Sequence, residues 1–163
     1  MAQYIKVLGV DPGTHVLGWG VIEGNRNTFA LCEFGVIKPK TMLPLPDRLL
    51  FLFEKFQEIL EKFLPDAVVC EDPFFFKDIR AAVNIGRAWS IVAVLARKRG
   101  IKFSTYSPLE VKKSITSYGR ATKEQVNQQV KRIFNVSKKI PLDASDAIAC
   151  AFCYMSDLRN YKG

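Results

Sequence analysis

The sequence is poor in the residues that build zinc sites and disulfide frameworks. His15 is its one histidine. Its four cysteines, Cys32, Cys70, Cys150 and Cys153, include a single C-x-x-C pair with no second pair to complete a tetrahedral site. Cys70 ends one apolar stretch, and Cys150 and Cys153 lie in another. The cysteines therefore read as small buried hydrophobes in a reducing compartment. No apolar run reaches the roughly 18–20 residues of a membrane span. The opening MAQYIKVLGV lacks the basic, apolar and small-residue regions of a secretory signal. No repeat, low-complexity tract or linker interrupts the 163 residues. These absences leave a cytoplasmic protein with no membrane partner, folded as a single domain over residues 1–163, as the simplest reading.

Acid is the scarcer charge. Asp and Glu number 16 against 24 Lys and Arg, a net charge of +8. That excess suggests a polyanionic partner, nucleic acid foremost. With 48% hydrophobic and 25% charged residues, the chain is expected to fold around a sizeable core.

The apolar pattern gives the order βββ-α-β-α-β-α-α-α. Residues 4–10, 16–23 and 28–37 read as strands joined by short turns, which predicts an antiparallel meander. Leu49, Leu52, Phe53, Phe56, Ile59, Leu60 and Phe63 recur at helical spacing, predicting a helix over 46–63 that stops near Pro65. A fourth strand covers 66–71 and a fifth 101–106. Between them, Asp78 is placed to cap a helix over 79–99 that Gly100 closes. Ser107-Pro108-Leu109-Glu110 and Thr122-Lys123-Glu124-Gln125 are helix starts. A last helix begins near Leu142 and is expected to run to about Tyr154 or a little beyond, with the C-terminal SDLRNYKG frayed. A five-stranded mixed α/β sheet, its first three strands antiparallel and flanked by helices, satisfies this order.

Carboxylates stand at the ends of these elements. Asp11 ends the first strand in VLGVDPGT, and Glu71 ends the fourth. If the two strands are parallel neighbours, both acids emerge at the carboxyl edge of the sheet, where α/β folds bind ligands. Asp143 and Asp146, in PLDASDAIACA, share one face of the apolar last helix. Taken alone, Asp143 suits a helix cap, Glu71-Asp72-Pro73 ordinary turn chemistry, and Asp11-Pro12-Gly13 a turn tripeptide. Their conjunction is what carries weight. Four converging carboxylates repel one another in a partly desolvated site, and a divalent cation resolves the conflict. Oxygen ligands favour Mg²⁺ or Mn²⁺, and two such ions about 3.5–4 Å apart can clamp a scissile phosphate. Phe74-Phe75-Phe76 follows Glu71 closely. Three phenylalanines in a short loop cannot all enter a core, so at least one is exposed and available to stack on bases.

With Val10-Asp11-Pro12-Gly13-Thr14, Glu71 after an apolar strand, and Asp143-Ala144-Ser145-Asp146-Ala147, the sequence resembles the RuvC-type Holliday junction resolvases of the ribonuclease H-like superfamily. The resemblance spans residues 5–155 or so. It implies a dimer that binds a four-way DNA junction in recombination and repair, nicks two strands of like polarity symmetrically, and uses two Mg²⁺ ions, with Mn²⁺ able to substitute. It leaves room for a branch-migration helicase as a further partner. It assigns Asp11, Glu71, Asp143 and Asp146 as metal-binding catalytic residues, with Asp11 bridging the ions. Lys123 is assigned a catalytic role in stabilising charge on the phosphate. The nucleic-acid contacts it implies are Phe74, Lys112 and Lys123, and the helix after Phe76 resembles the family's dimer helix; the phenylalanine run and the basic residues clustered near it in sequence add Phe75, Lys77, Arg80 and Arg120 as candidate contacts.

One stretch departs from the family pattern. Where a glutamine and an apolar residue are expected after Glu71, the chain has Asp72 and Pro73. Three other readings compete. One is a junction-binding protein that does not cut. Another is a related nuclease for other branched DNA or RNA–DNA hybrids. The third is a sugar-kinase-like or actin-like ATPase, which requires a second domain and a second glycine-rich phosphate loop that the sequence lacks.

Overall fold

The computed structural model describes residues 3–160 apart from Phe76 and the side chain of Phe75. Five strands form one sheet in the order β3-β2-β1-β4-β5. Strands β1 (Ile5–Asp11), β2 (Leu17–Gly24) and β3 (Phe29–Ile37) form the antiparallel meander. Strand β4 (Ala67–Glu71) runs parallel to β1, and β5 (Lys102–Tyr106) parallel to β4. The mixed α/β sheet expected from the sequence is thus present, and its first and fourth strands are parallel neighbours.

Helices cover both faces. Along a strand successive side chains alternate between faces. Leu8, Val10, Val68 and Cys70 therefore point one way, into a core shared with α1 (Leu45–Phe63) and α2 (Ile79–Lys98). Val7, Ala67 and Val69 point the other way, into a core shared with α3 (Pro108–Thr116), α4 (Lys123–Ile133) and α5 (Leu142–Asn160). The helix starts follow the capping chemistry of the sequence. Ser107 with Glu110, and Thr122 with Gln125, form reciprocal capping boxes, and the Asp78 carboxylate accepts from the amides of Arg80 and Ala81. Helix α1 ends at Leu64, whose φ of 47° is left-handed, just before Pro65.

Three expectations need correction. Helix α5 continues to Asn160. No glycine or proline breaks its last turns, Leu158 packs against the core, and Asp157 faces the same cavity as Tyr106 of β5. Cys32 is exposed, unlike the other three free cysteines: β3 carries a bulge where Ile22 pairs with Leu31 and Val21 with Glu33, and Cys32 is the extra residue between them. Finally, α2 is long and apolar enough to cross a membrane by length and composition, its most apolar 18-residue window having a mean hydropathy of 1.4. Its apolar residues run around the helix instead of forming one stripe. Ala88, Val92, Leu95 and Ala96 are buried against the rest of the fold, whereas Ile79, Val83 and Val94 are exposed.

Candidate active site

The strand geometry aims two carboxylates at one helix. Asp11 shares the face of Val7 and Gly9, and Glu71 the face of Ala67 and Val69, so both point toward α5. The β1–β4 register pairs Val10 with Cys70, which leaves Asp11 and Glu71 side by side at the next step.

Glycines let α5 approach this edge closely. A Cβ at Gly9 would overlap the carbonyl oxygen of Ala147, and one at Gly18 would overlap that of Asp143. A Cβ at Gly20 would strike the Ile148 side chain. The backbone of α5 therefore lies directly on β1 and β2. Because Gly18 pairs with Asp11 across the ladder, this contact brings the first turn of α5, with Asp143 and Asp146, to Asp11.

Lys123, the first residue of α4, completes the cluster. Its Nζ lies 2.9 Å from Asp146 Oδ2, 3.7 Å from Asp143 Oδ1 and 4.0 Å from Asp11 Oδ2. A side-chain latch ties α4 to α5. Asn127 Nδ2 donates to the Ile140 carbonyl at 2.9 Å and to Ser145 Oγ at 3.0 Å, and Ser145 Oγ donates to the Leu142 carbonyl. Glu71, Lys112, Lys123 and Asp146 line a cavity of about 150 Å³, with Pro108, Val111, Val126 and Ala149 forming its apolar walls.

The electrostatics are those of crowded acids. Burial, followed by the charge of Asp146, raises Asp11 well above the usual carboxylate range, and Lys123 opposes the rise. Burial and Asp146 push Glu71 up to about 6, against the pull of Lys112 and Lys123. Burial also raises Asp146, although its hydrogen bond from Lys123 works the other way. For Lys123, burial favours the neutral amine, but the hydrogen bond to Asp146 and the charges of Asp146, Asp11 and Asp143 prevail and hold it protonated. One ammonium thus partly neutralises a cluster that holds more negative charge than it can balance.

This donor set fits a hard divalent cation: it offers carboxylate oxygen, negative charge in excess, and acids destabilised by each other. Among the described residues no three acidic, thiol or imidazole groups stand ready at metal-binding spacing. The carboxylates are instead spread around the Lys123 ammonium.

Of the sequence-predicted residues, the structure brings together Asp11, Glu71, Asp143, Asp146, Lys112 and Lys123. Phe74 lies just beyond Glu71 in a 3-10 turn, Pro73–Phe75, and is 93% exposed. Lys77 and Arg80 are exposed where the chain enters α2, and Arg120 is exposed in the α3–α4 connection. None of these three contacts the carboxylates by hydrogen bond or ion pair among the described residues. The side chain of Phe75 and all of Phe76 lie outside the described residues. The sequence reading missed Gly9 and Gly18, although an isolated glycine inside a strand is a recognisable sign of close backbone approach. It also missed Asn127, which no local pattern marks. Thr14, in the first motif, is 2% exposed, and its Oγ1 is buried with no hydrogen-bond partner among the described residues.

A mixed sheet of this order, with acids from β1, β4 and α5 meeting at its carboxyl edge, defines a ribonuclease H-like nuclease. The family model "Crossover junction endodeoxyribonuclease RuvC" matches residues 7–154. The RuvC of Ruminiclostridium cellulolyticum is 38% identical over 149 residues, covering 91% of this chain and 90% of that protein. That of Petrotoga mobilis is 36% identical over 157 residues, covering 96% of both. The structure of Thermus thermophilus RuvC in complex with Holliday junction substrate superimposes with a TM-score of 0.85 at 30% identity, over 96% of each chain. The yeast mitochondrial Holliday junction resolvase Ydc2, 17% identical with a TM-score of 0.63 over 96% of this chain and 81% of that one, shares the fold. The chain belongs to the RuvC family of crossover junction endodeoxyribonucleases.

Proposed function

We propose that this chain resolves four-way DNA junctions as a homodimer, hydrolysing one phosphodiester in each of two strands of like polarity with two Mg²⁺ ions per site. The observation that carries the reading is the meeting of Asp11, Glu71, Asp143 and Asp146 around Lys123 at the sheet edge, in a chain of this family. Asp11, Glu71, Asp143 and Asp146 would hold the ions, with Asp11 placed to serve both, Glu71 and Asp146 to serve one each, and Asp143 to hold or orient the second. Mn²⁺, with the same preference for oxygen, substitutes. When bound, the ions stabilise charge on the phosphate and activate water.

The protein's own groups do the rest. The Lys123 ammonium, already protonated and anchored on Asp146, is placed to donate to a phosphate oxygen as charge develops there. Lys112 holds the strand across the cavity wall. Phe74, exposed and close to Glu71 in the chain, stacks on a base at the crossover. The outward face of α2, where Ile79 is 80% exposed beside Val83 and Gly86, buries its apolar surface against a second copy.

The test is a labelled synthetic four-way junction and a matched duplex, each incubated with Mg²⁺ or with EDTA and resolved on a denaturing gel. Paired symmetrical nicks in the junction, only with Mg²⁺, are expected. A junction that is bound but uncut in both Mg²⁺ and Mn²⁺ refutes the enzymatic reading.

A further inference from the structure

The loop that carries Phe74 is held by a single residue, Asp72. Strand β4 ends at Glu71, and Phe74 follows three residues later. Asp72 fixes that short span at two points. Its amide donates to the Tyr106 carbonyl at 2.8 Å, extending the β4–β5 pairing one step past the strand. Its carboxylate Oδ1 accepts from the Phe74 amide at 3.0 Å, closing an Asx turn over Pro73. The ring of Pro73 fixes its own φ. The aromatic side chain is thus fully presented to solvent on a backbone that is tied down at the residue two before it.

We propose that Asp72 is a positioning and specificity-determining residue, holding Phe74 in its base-stacking pose while its negative charge disfavours plain duplex at this loop. The proposal rests on the reading of Phe74 as the stacking residue. The two effects have different origins. The turn depends on an oxygen acceptor at the end of a short side chain, and the discrimination depends on charge. An unpaired base reaching Phe74 gains stacking that offsets the repulsion, whereas a regular duplex presents only phosphates to Asp72 and gains nothing.

Asp72→Asn separates the two effects, because asparagine keeps the acceptor and drops the charge. Asp72→Ala loses both. Three readouts are taken: fluorescence of 2-aminopurine at the junction crossover, junction cleavage rate in Mg²⁺, and duplex affinity at two salt concentrations. Both variants are expected to bind duplex a few-fold more tightly at low salt, with the gain shrinking at high salt. Asp72→Asn is expected to unstack the crossover base and cut as the parent does. Asp72→Ala is expected to lose unstacking and cleavage roughly tenfold, the effect of one net hydrogen bond in the stacked complex. The proposal is overturned if Asp72→Ala unstacks normally, if Asp72→Asn fails as badly as Asp72→Ala, or if duplex affinity falls in either variant, as it would from a folding defect. Phe74→Ala, assayed in parallel, separates this outcome from the reading beneath it. If Phe74→Ala unstacks and cuts normally, the stacking assignment itself is wrong. If Phe74→Ala is defective and Asp72→Ala is not, only the role of Asp72 fails.

Discussion

Replacing Glu71 by glutamine should make the metal-free protein more stable while destroying its activity, and the size of the gain follows from the site. The carboxyl of Glu71 titrates at about 6 in the folded chain, against an ordinary 4.5. The folded state therefore holds its proton more tightly than the unfolded state does. Between these values the native protein binds more protons, so stability falls as pH rises through the window and the loss is complete above the folded value. The shift of about 1.5 units corresponds to about 2 kcal/mol at pH 8, at 1.36 kcal/mol per unit. Glutamine has nearly the same shape and never ionises, so Glu71→Gln should recover that amount at pH 8 and almost nothing at pH 4.5. In a chain of this length about 2 kcal/mol corresponds to a rise in Tm of about 4–8 °C. The assay is thermal or urea unfolding of both proteins in EDTA across this pH range. Adding Mg²⁺ at pH 8 should then stabilise the parent more than the variant, because the variant lacks one of the groups that hold the ion. If the two stability curves run parallel from pH 4.5 to 8, Glu71 is not destabilised by burial and its neighbours, and the account of the site as a strained acid cluster is refuted.

Three further outcomes test other parts of the structure. Asp11→Asn should abolish cleavage by several orders of magnitude and leave junction affinity at or above that of the parent, since it removes a repulsive charge from a DNA-facing edge; gel-shift and cleavage assays on one junction check both. Asn127→Ala should cost about 1–3 kcal/mol in urea unfolding, because the Ile140 carbonyl and Ser145 hydroxyl lose their donor, and should lower kcat more than it raises KM by freeing α4, and Lys123 with it, from α5. Ile79→Glu, on the exposed face of α2, should yield monomers in sedimentation at micromolar concentration and convert paired nicks to single ones, with helix content by circular dichroism unchanged.

The acids of the site were legible for a plain reason. Period-two alternation in a strand and period-three spacing in a helix both act over a few residues, so they fix which way Asp11, Glu71, Asp143 and Asp146 face once the strand pairing is guessed. The capping boxes at Ser107 and Thr122 were legible on the same grounds. Lys123 was not legible from pattern alone. Its amine reaches the acids through the α3–α4 connection and the Asn127 latch, contacts that span up to 18 residues in sequence and leave no periodic trace. The end of α5 reads short because the polar residues after Met155 suggest fraying, whereas Leu158 is held against a core assembled from strands far off in sequence. Cys32 is missed for a related reason: it is the extra residue of a bulge, and where a bulge falls is decided by how β3 pairs with β2, not by the residues of β3 alone.

The glycines under α5 have a consequence for how this protein can change. Most helix–sheet contacts are separated by side chains, and the gap varies whenever those side chains are replaced. Here the spacing between Asp11 and the first turn of α5 is set by main chain resting on main chain at Gly9 and Gly18. Peptide geometry is the same for every residue, so core positions such as Val7, Ala67 or Met155 can be exchanged for other apolar residues without retuning the separation of the acids. The site is in that sense insulated from drift in the interior that supports it. The same arrangement concentrates vulnerability: the tolerance of the core rests on a few positions where even a methyl group has no room.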